Sequence, residues 1–153
     1  MPLTIISKLK GFTDTWWGFL ITLALVYGGV RGLQHYWGAQ EFAGTGLPKI
    51  TLAQAMSDAQ IQNKPIIAEL SATWCHTCRS MDRTIFSNAR VKQFLTEQSI
   101  YARIDEKDPE AEYFTQTYKA QGYPTIVLLN AQGQLQRYLP LTYDPDEFLR
   151  AVQ

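Results

Sequence analysis

Both cysteines of the chain fall within one hexapeptide, Thr73-Trp74-Cys75-His76-Thr77-Cys78. A bond between them closes so short a loop that it constrains little of the unfolded chain, which makes a purely structural staple a poor reading. A closed zinc site needs four converging ligands. Cys75, His76 and Cys78 are too near one another in sequence to converge easily, and the only other histidine, His35, lies far upstream. What remains is a pair that alternates between dithiol and disulfide, so the fold has to present two sulfurs side by side. No metal and no cofactor are expected.

The nucleophile in such chemistry is a thiolate, and a free thiol with a pKa of about 8.5 is mostly protonated at neutral pH. The apolar run 66–70 reads as a strand, 71–74 leads out of it, and a helix is expected to start near Cys75 and continue toward Arg83. Free backbone N–H groups at a helix start favour the anion. Cys75 stands at that start directly after Trp74, which can shield one side of the sulfur. Cys78, one turn later, is placed to attack a mixed disulfide formed by Cys75 and release the substrate. His76 and Thr77 lie between them. A cationic or hydrogen-bonding His76 tunes the couple toward thiolate; the alternative is a solvent-facing helix residue.

The rest of the C-terminal two thirds alternates helices and strands. Thr51 caps a helix through about Gln62, with Leu52, Ala55, Met56 and Ala59 on one side. Ser87 is expected to cap a stretch to about Gln98 with Val91, Phe94 and Leu95 inward. A strand over 100–104, a helix over 109–119 and strands over 125–129 and 135–139 follow. Between the last two strands lies the turn Asn130-Ala131-Gln132-Gly133, with glycine where positive φ is needed. Asp144, Pro145 and Glu147 sign the closing helix as cap, first residue and capping-box partner. Phe114, Tyr118 and Phe148 are assigned to packing; Tyr101, Tyr113, Tyr138 and Tyr143 are candidates for a client surface. This order is that of an α/β protein with a mixed central sheet and helices on both faces.

Upstream the chemistry changes. From Trp16 to Val30 there is no charge. At 1.5 Å per residue that is somewhat short for a hydrocarbon layer of ~30 Å, and Phe12, Thr13 and the stem of Arg31 are expected to extend it. Trp16, Trp17 and Tyr27 suit the interfaces. Lys8 and Lys10 precede the run while Arg31 alone closely follows it, a bias toward an inside N-terminus. A cleaved secretion signal is the competing reading, with only Tyr27-Gly28-Gly29 as a poor cleavage site; a buried or surface-lying helix is another. The expected division is an N-terminal transmembrane anchor over 1–33, a linker over 34–49 rich in glycine, and a domain over 50–153. The domain then lies on the outer side of a cell membrane, in a bacterial periplasm. An apolar fraction of 46% supplies an ordinary core for one such domain. Lysine plus arginine equals aspartate plus glutamate at 14 each, so no basic excess points to nucleic acid.

Residues 48–153 resemble the thioredoxin-like superfamily. Within it they are most similar to the C-terminal domain of the bacterial thiol:disulfide interchange protein DsbD and to membrane-anchored periplasmic thioredoxins. The resemblance is carried by Lys64-Pro65, Glu69-Leu70, Ala72 through Cys78, Thr84-Ile85-Phe86-Ser87, Gly122-Tyr123-Pro124-Thr125-Ile126 and Gln132-Gly133-Gln134. It implies a thioredoxin-like fold in which Cys75 is the exposed nucleophile and Cys78 resolves. It implies too that Pro124 is a cis proline beside the dithiol, with Tyr123 before it presenting backbone groups to an extended substrate segment; otherwise Pro124 merely opens a strand. Trp74, His76 and Thr77 complete the substrate side. Glu69 falls where thioredoxins often bury an acid, and a partly buried carboxylate there passes protons to or from Cys78. A solvent-facing strand-end glutamate is the alternative.

The implied activity is that of a membrane-tethered thiol:disulfide oxidoreductase that reduces disulfides in exported proteins. The multi-helix electron-carrying domain and the immunoglobulin-like domain of the large reductase have no counterpart in this sequence, so the expected electron donor is a separate membrane thiol reductant. A thiol oxidase or disulfide isomerase shares the motif, since direction depends on the stability of both redox states. A client-binding assembly factor with incidental redox activity is the remaining alternative.

Overall fold

The computed structural model describes residues 16–153; Lys8, Lys10, Phe12, Thr13 and Asp14, invoked above for the anchor, lie outside it. It falls into two compact units divided between Tyr36 and Trp37. One long helix, α1 (Trp16–Thr45), crosses that division. By length and composition it is able to span a membrane. Helical structure persists through residues 34–45, where a tether or irregular arm was expected. Gly38 and Gly44 weaken a helix without breaking it. The first break is Gly46 at φ +72°, and Pro48 soon follows.

The second unit is a layered α/β structure. After α1 come α2 (Leu52–Gln62), β1 (Ile66–Ser71) and α3 (His76–Met81). A π-helical turn (Asp82–Phe86), α4 (Ala89–Glu97) and β2 (Ile100–Asp105) follow. The chain closes with α5 (Ala111–Thr117), β3 (Thr125–Leu129), β4 (Leu135–Tyr138) and α6 (Pro145–Val152). Strand order is β2-β1-β3-β4. β1 runs parallel to β2 and antiparallel to β3, and β4 is antiparallel to β3, so the sheet is mixed as expected.

Side chains alternate across the sheet, and each face meets its own helices. Ile66, Ala68, Leu70, Ala102, Ile104, Val127 and Leu129 join Leu52, Ala55 and Ala59 of α2 and Phe114 of α5. Ile67, Tyr101, Ile126 and Leu128 join Met81, Ile85, Phe86, Phe94, Leu95 and Phe148 on the opposite side. Phe114, Tyr118 and Phe148 are thus core residues, as read from the sequence. Glu69 and Arg103, each two positions along from Ile67 and Tyr101, are registered opposite one another in β1 and β2 on that second face. The strip of sheet nearest the cysteine helix is therefore polar.

Local chemistry sets the helix ends. Thr51 accepts from the Gln54 N–H as expected, and Asn63 closes α2 in the left-handed region at φ 51°. Asn88, and not Ser87, caps α4 by accepting from the Arg90 and Val91 N–H groups. Ser87 is committed elsewhere: its hydroxyl donates to the Asp82 carbonyl at 2.6 Å, closing the π turn. Asp144 caps α6 with Pro145 behind it, but Glu147 does not complete the reciprocal box. The Thr142 hydroxyl sits between them, donating to Glu147 and accepting the Asp144 N–H that the box would have used.

Candidate active site

Strand β1 delivers the chain to the cysteines. The Cys75 N–H donates to the Ala72 carbonyl at 3.0 Å, turning the backbone out of the sheet. Cys75 has extended geometry, φ −72° and ψ 117°, and is the N-cap of α3. The two sulfurs are joined as a disulfide. The Cys78 N–H points at Cys75 Sγ, 3.1 Å away, which is the kind of donor that stabilises a thiolate when the bond is open. Cys75 retains 4% of its surface and Cys78 none. The nucleophile was expected to be exposed. It is nearly closed off instead, in a small apolar cluster with Cys78 and Ala72.

The surroundings expected from the sequence converge here. Tyr123-Pro124 is a cis peptide bond at the entry to β3. Pro124 is buried while Tyr123 is exposed. The Tyr123 ring stands edge-to-face with Trp74, centroids 5.7 Å apart. The Trp74 indole N–H donates to Glu106 Oε2 at 2.6 Å, fixing the ring from the β2 side. His76 is exposed and Thr77 half-buried at the start of α3. Among the described residues no three His, Cys, Asp or Glu side chains are grouped as metal ligands.

Below this surface lies a charged cluster of which the sequence pointed to one member. Glu69 is fully buried, so the solvent-facing alternative fails. The Tyr101 hydroxyl donates to Glu69 Oε2 at 2.5 Å, which removes Tyr101 from the client surface and places it in the interior. Asp82, also fully buried, lies one turn after Cys78, at the end of α3 where the π turn begins; its N–H donates to the Cys78 carbonyl. Arg103 connects the acids. Its Nη1 donates to Asp82 Oδ1 at 2.7 Å and to Glu69 Oε2 at 3.4 Å, and its Nη2 to Asp82 Oδ2 at 3.2 Å and Ser71 Oγ at 2.9 Å. The Phe42 ring covers the guanidinium at 4.2 Å. Glu69 Oε1 is buried with no hydrogen-bond partner.

Burial, then the nearby Glu69 charge, push the Asp82 carboxyl up to about 7, against the pull of Arg103. Burial opposes the Arg103 cation, but Glu69, Tyr101 and Asp82 outweigh it and raise its pKa. Burial, followed by the Glu69 charge, holds the Tyr101 phenol well above its usual value. Asp82 and Arg103 escaped the sequence reading, although Asp82 is four residues beyond Cys78 and so on the same side of its helix.

A cysteine pair at a helix start, set beside a cis-proline loop on a mixed sheet layered between helices, defines a thioredoxin-fold dithiol protein. The chain belongs to the thioredoxin-like family, whose model matches residues 47–131. It is similar to thiol:disulfide interchange protein DsbD of Citrobacter koseri, 30% identical over 121 residues, which is 74% of this chain and 21% of that protein. The Salmonella typhi DsbD is 30% identical over 79 residues, 51% of this chain and 14% of that protein. The chain thus spans a small part of the length of these relatives. Among solved structures, a Thermus thermophilus thioredoxin aligns with TM-score 0.62 at 21% identity, covering 69% of this chain and 84% of the other. The reduced C-terminal domain of Neisseria meningitidis DsbD aligns with TM-score 0.56 at 23% identity, covering 65% and 89%. These two likenesses concern the fold.

Proposed function

We propose that the protein is a membrane-tethered thiol:disulfide oxidoreductase that reduces disulfides in exported proteins. The observation that carries this reading is the Cys75–Cys78 disulfide at the start of α3, with the Cys78 N–H aimed at the outer sulfur. Similarity to the DsbD proteins favours reduction over oxidation or isomerisation.

In the reduced protein the Cys75 thiolate attacks one sulfur of a client disulfide, forming a mixed disulfide and expelling the other client sulfur as thiolate. Cys78 then gives its proton to the buried carboxylates and attacks Cys75 Sγ. The Cys75–client bond breaks, the Cys75–Cys78 bond forms, and the client has gained the two electrons of the dithiol. Glu69 is the proton acceptor of this reading. Trp74, His76, Thr77, Tyr123 and Pro124 form the client side, Tyr123 offering backbone groups to an extended segment.

The length and apolar composition of α1 support a single-pass anchor in a bacterial inner membrane, with the redox domain in the periplasm. In this reading residues 1–33 are the anchor, 34–49 join it to the domain, and 50–153 carry the chemistry. Tethering raises the effective concentration near membrane clients and near a membrane thiol reductant that restores the dithiol.

The test is the in-cell redox state of Cys75 and Cys78, read by thiol-alkylation mobility shift with and without the membrane thiol reductants of the host. A mainly reduced pair that becomes oxidised when they are deleted is the expected result. A pair oxidised in both strains assigns the protein to oxidation or to client binding.

A further inference from the structure

Two carboxylates and one guanidinium are buried together behind α3, and their charges do not cancel when both acids are ionised. The groups facing this cluster can be named from every side. Strand β1 brings Glu69 and the Ser71 hydroxyl, and β2 brings Tyr101, Arg103 and, 3.7 Å from Arg103 Nε, Asp105. The π turn brings Asp82; α1 brings the Phe42 ring and the Glu41 charge, itself paired with Arg83. With both acids ionised, Glu69, Asp82 and Arg103 sum to one negative charge. With one proton taken up they are neutral.

We propose that Arg103 is a positioning residue for the redox site: by compensating one of the two buried carboxylates, it leaves the cluster behind Cys78 with a single exchangeable proton. The proposal rests on the reading of Cys75–Cys78 as a working dithiol and adds to it the residue that fixes how many protons the acids hold. The geometry is specific. Arg103 grips Asp82 through both of its terminal nitrogens and reaches Glu69 at 3.4 Å, so its single positive charge compensates one of the pair's two negative charges. Glu69 Oε1 is buried and unpartnered, so the second negative charge has no compensating group at that oxygen. An isolated buried anion is costly, and without the cation the pair has to hold two protons to be neutral. A pair already holding two protons near neutral pH accepts none from Cys78.

The test is a carboxyl-carbon NMR titration of Glu69 and Asp82 in the full chain in detergent, comparing wild type, Arg103→Met and the double variant Arg103→Met with Asp82→Asn. In Arg103→Met the first proton is expected to bind at least about one pH unit higher, a tenfold gain in proton affinity. The double variant has the wild-type charge balance and is expected to return to within about half a unit of wild type. An unshifted first protonation in a folded Arg103→Met, or a double variant as displaced as the single one, overturns the proposal. Should Arg103→Met fail to fold, the double variant decides alone: a folded protein titrating near wild type supports the proposal, and an unfolded or displaced one overturns it. The titration reads charge balance whether or not the chain reduces disulfides. Wild-type reduction of a model disulfide peptide tests that underlying reading separately.

Discussion

The backbone of Gly38, in the last turns of α1, lies against the backbone of Thr73, two residues before the first cysteine; a β-carbon on Gly38 would overlap the Thr73 carbonyl. Gly38→Ala is therefore expected to destabilise the protein by about 1–3 kcal/mol through overpacking. Gly44, in the same helix with open space around it, is the control: Gly44→Ala is expected to gain up to about 1 kcal/mol from helix propensity. Thermal unfolding of the two variants against wild type checks the contrast.

The same end of α1 supplies more than one contact. Glu41 pairs with Arg83, Phe42 covers Arg103, and Leu47 belongs to the core. A chain starting at residue 37 is expected to be soluble and folded, whereas one starting at residue 50 loses these contacts and is expected to unfold at lower denaturant concentration. Urea titrations of the two truncations decide, and equal midpoints would mean that residues 37–49 contribute nothing.

Asp82 makes stability depend on pH. Its folded pKa of about 7 lies above its ordinary value of 3.8, so the folded state binds more protons between those limits. Stability is therefore highest at the acid end of that window and falls as pH rises toward 7, by up to about 1.4 kcal/mol per pH unit. Denaturant unfolding at pH 5, 6 and 7 is expected to show this slope, and Asp82→Asn to flatten it.

Glu69 is the expected proton acceptor for Cys78. Glu69→Gln keeps an acceptor for the Tyr101 hydroxyl but removes the base, and is expected to slow disulfide reduction at neutral pH by about 100-fold or more, within the usual range of general-base contributions of about 10²–10⁴. An unchanged pH–rate profile would remove Glu69 from the mechanism.

The Trp74 ring is held by Glu106 on one side and Tyr123 on the other. Trp74→Phe keeps an aromatic ring beside Tyr123 and loses the hydrogen bond. A loss of about 1 kcal/mol in client binding, roughly fivefold in KM for a protein disulfide, is expected with little change toward a small disulfide. Steady-state kinetics on both substrates check it.

The strands, the flanking helices and the cysteine segment were readable because each carries a local signal: alternating apolar residues, caps such as Thr51 and Asp144, and the Cys75–Cys78 spacing. Glu69 was found through its place relative to Cys75. Asp82 and Arg103 were not, since charged residues on helices and strands ordinarily face water. In β2 the alternation of Ala102 and Ile104 with Tyr101, Arg103 and Asp105 imitates a strand with one wet face. Here that second face is covered by the π turn, α4 and the Phe42 ring, and its polar members are paired, Tyr101 with Glu69, Arg103 with Asp82 and Asp105 with Lys49. The extension of α1 to Thr45 was obscured for a related reason, because glycines suggest a tether until packing such as that of Gly38 on Thr73 gives one of them a purpose.

The π turn from Asp82 to Phe86 has a consequence for how this sequence can vary. Met81, Asp82, Ile85 and Phe86 all point inward while Arg83 and Thr84 face solvent. Such a turn holds one residue more than an ordinary helical turn. Deleting either exposed residue would leave every inward side chain in the sequence, yet rotate those that follow by about 100° relative to Cys78. Between the resolving cysteine and the core, the spelling at these two positions matters less than the count of letters.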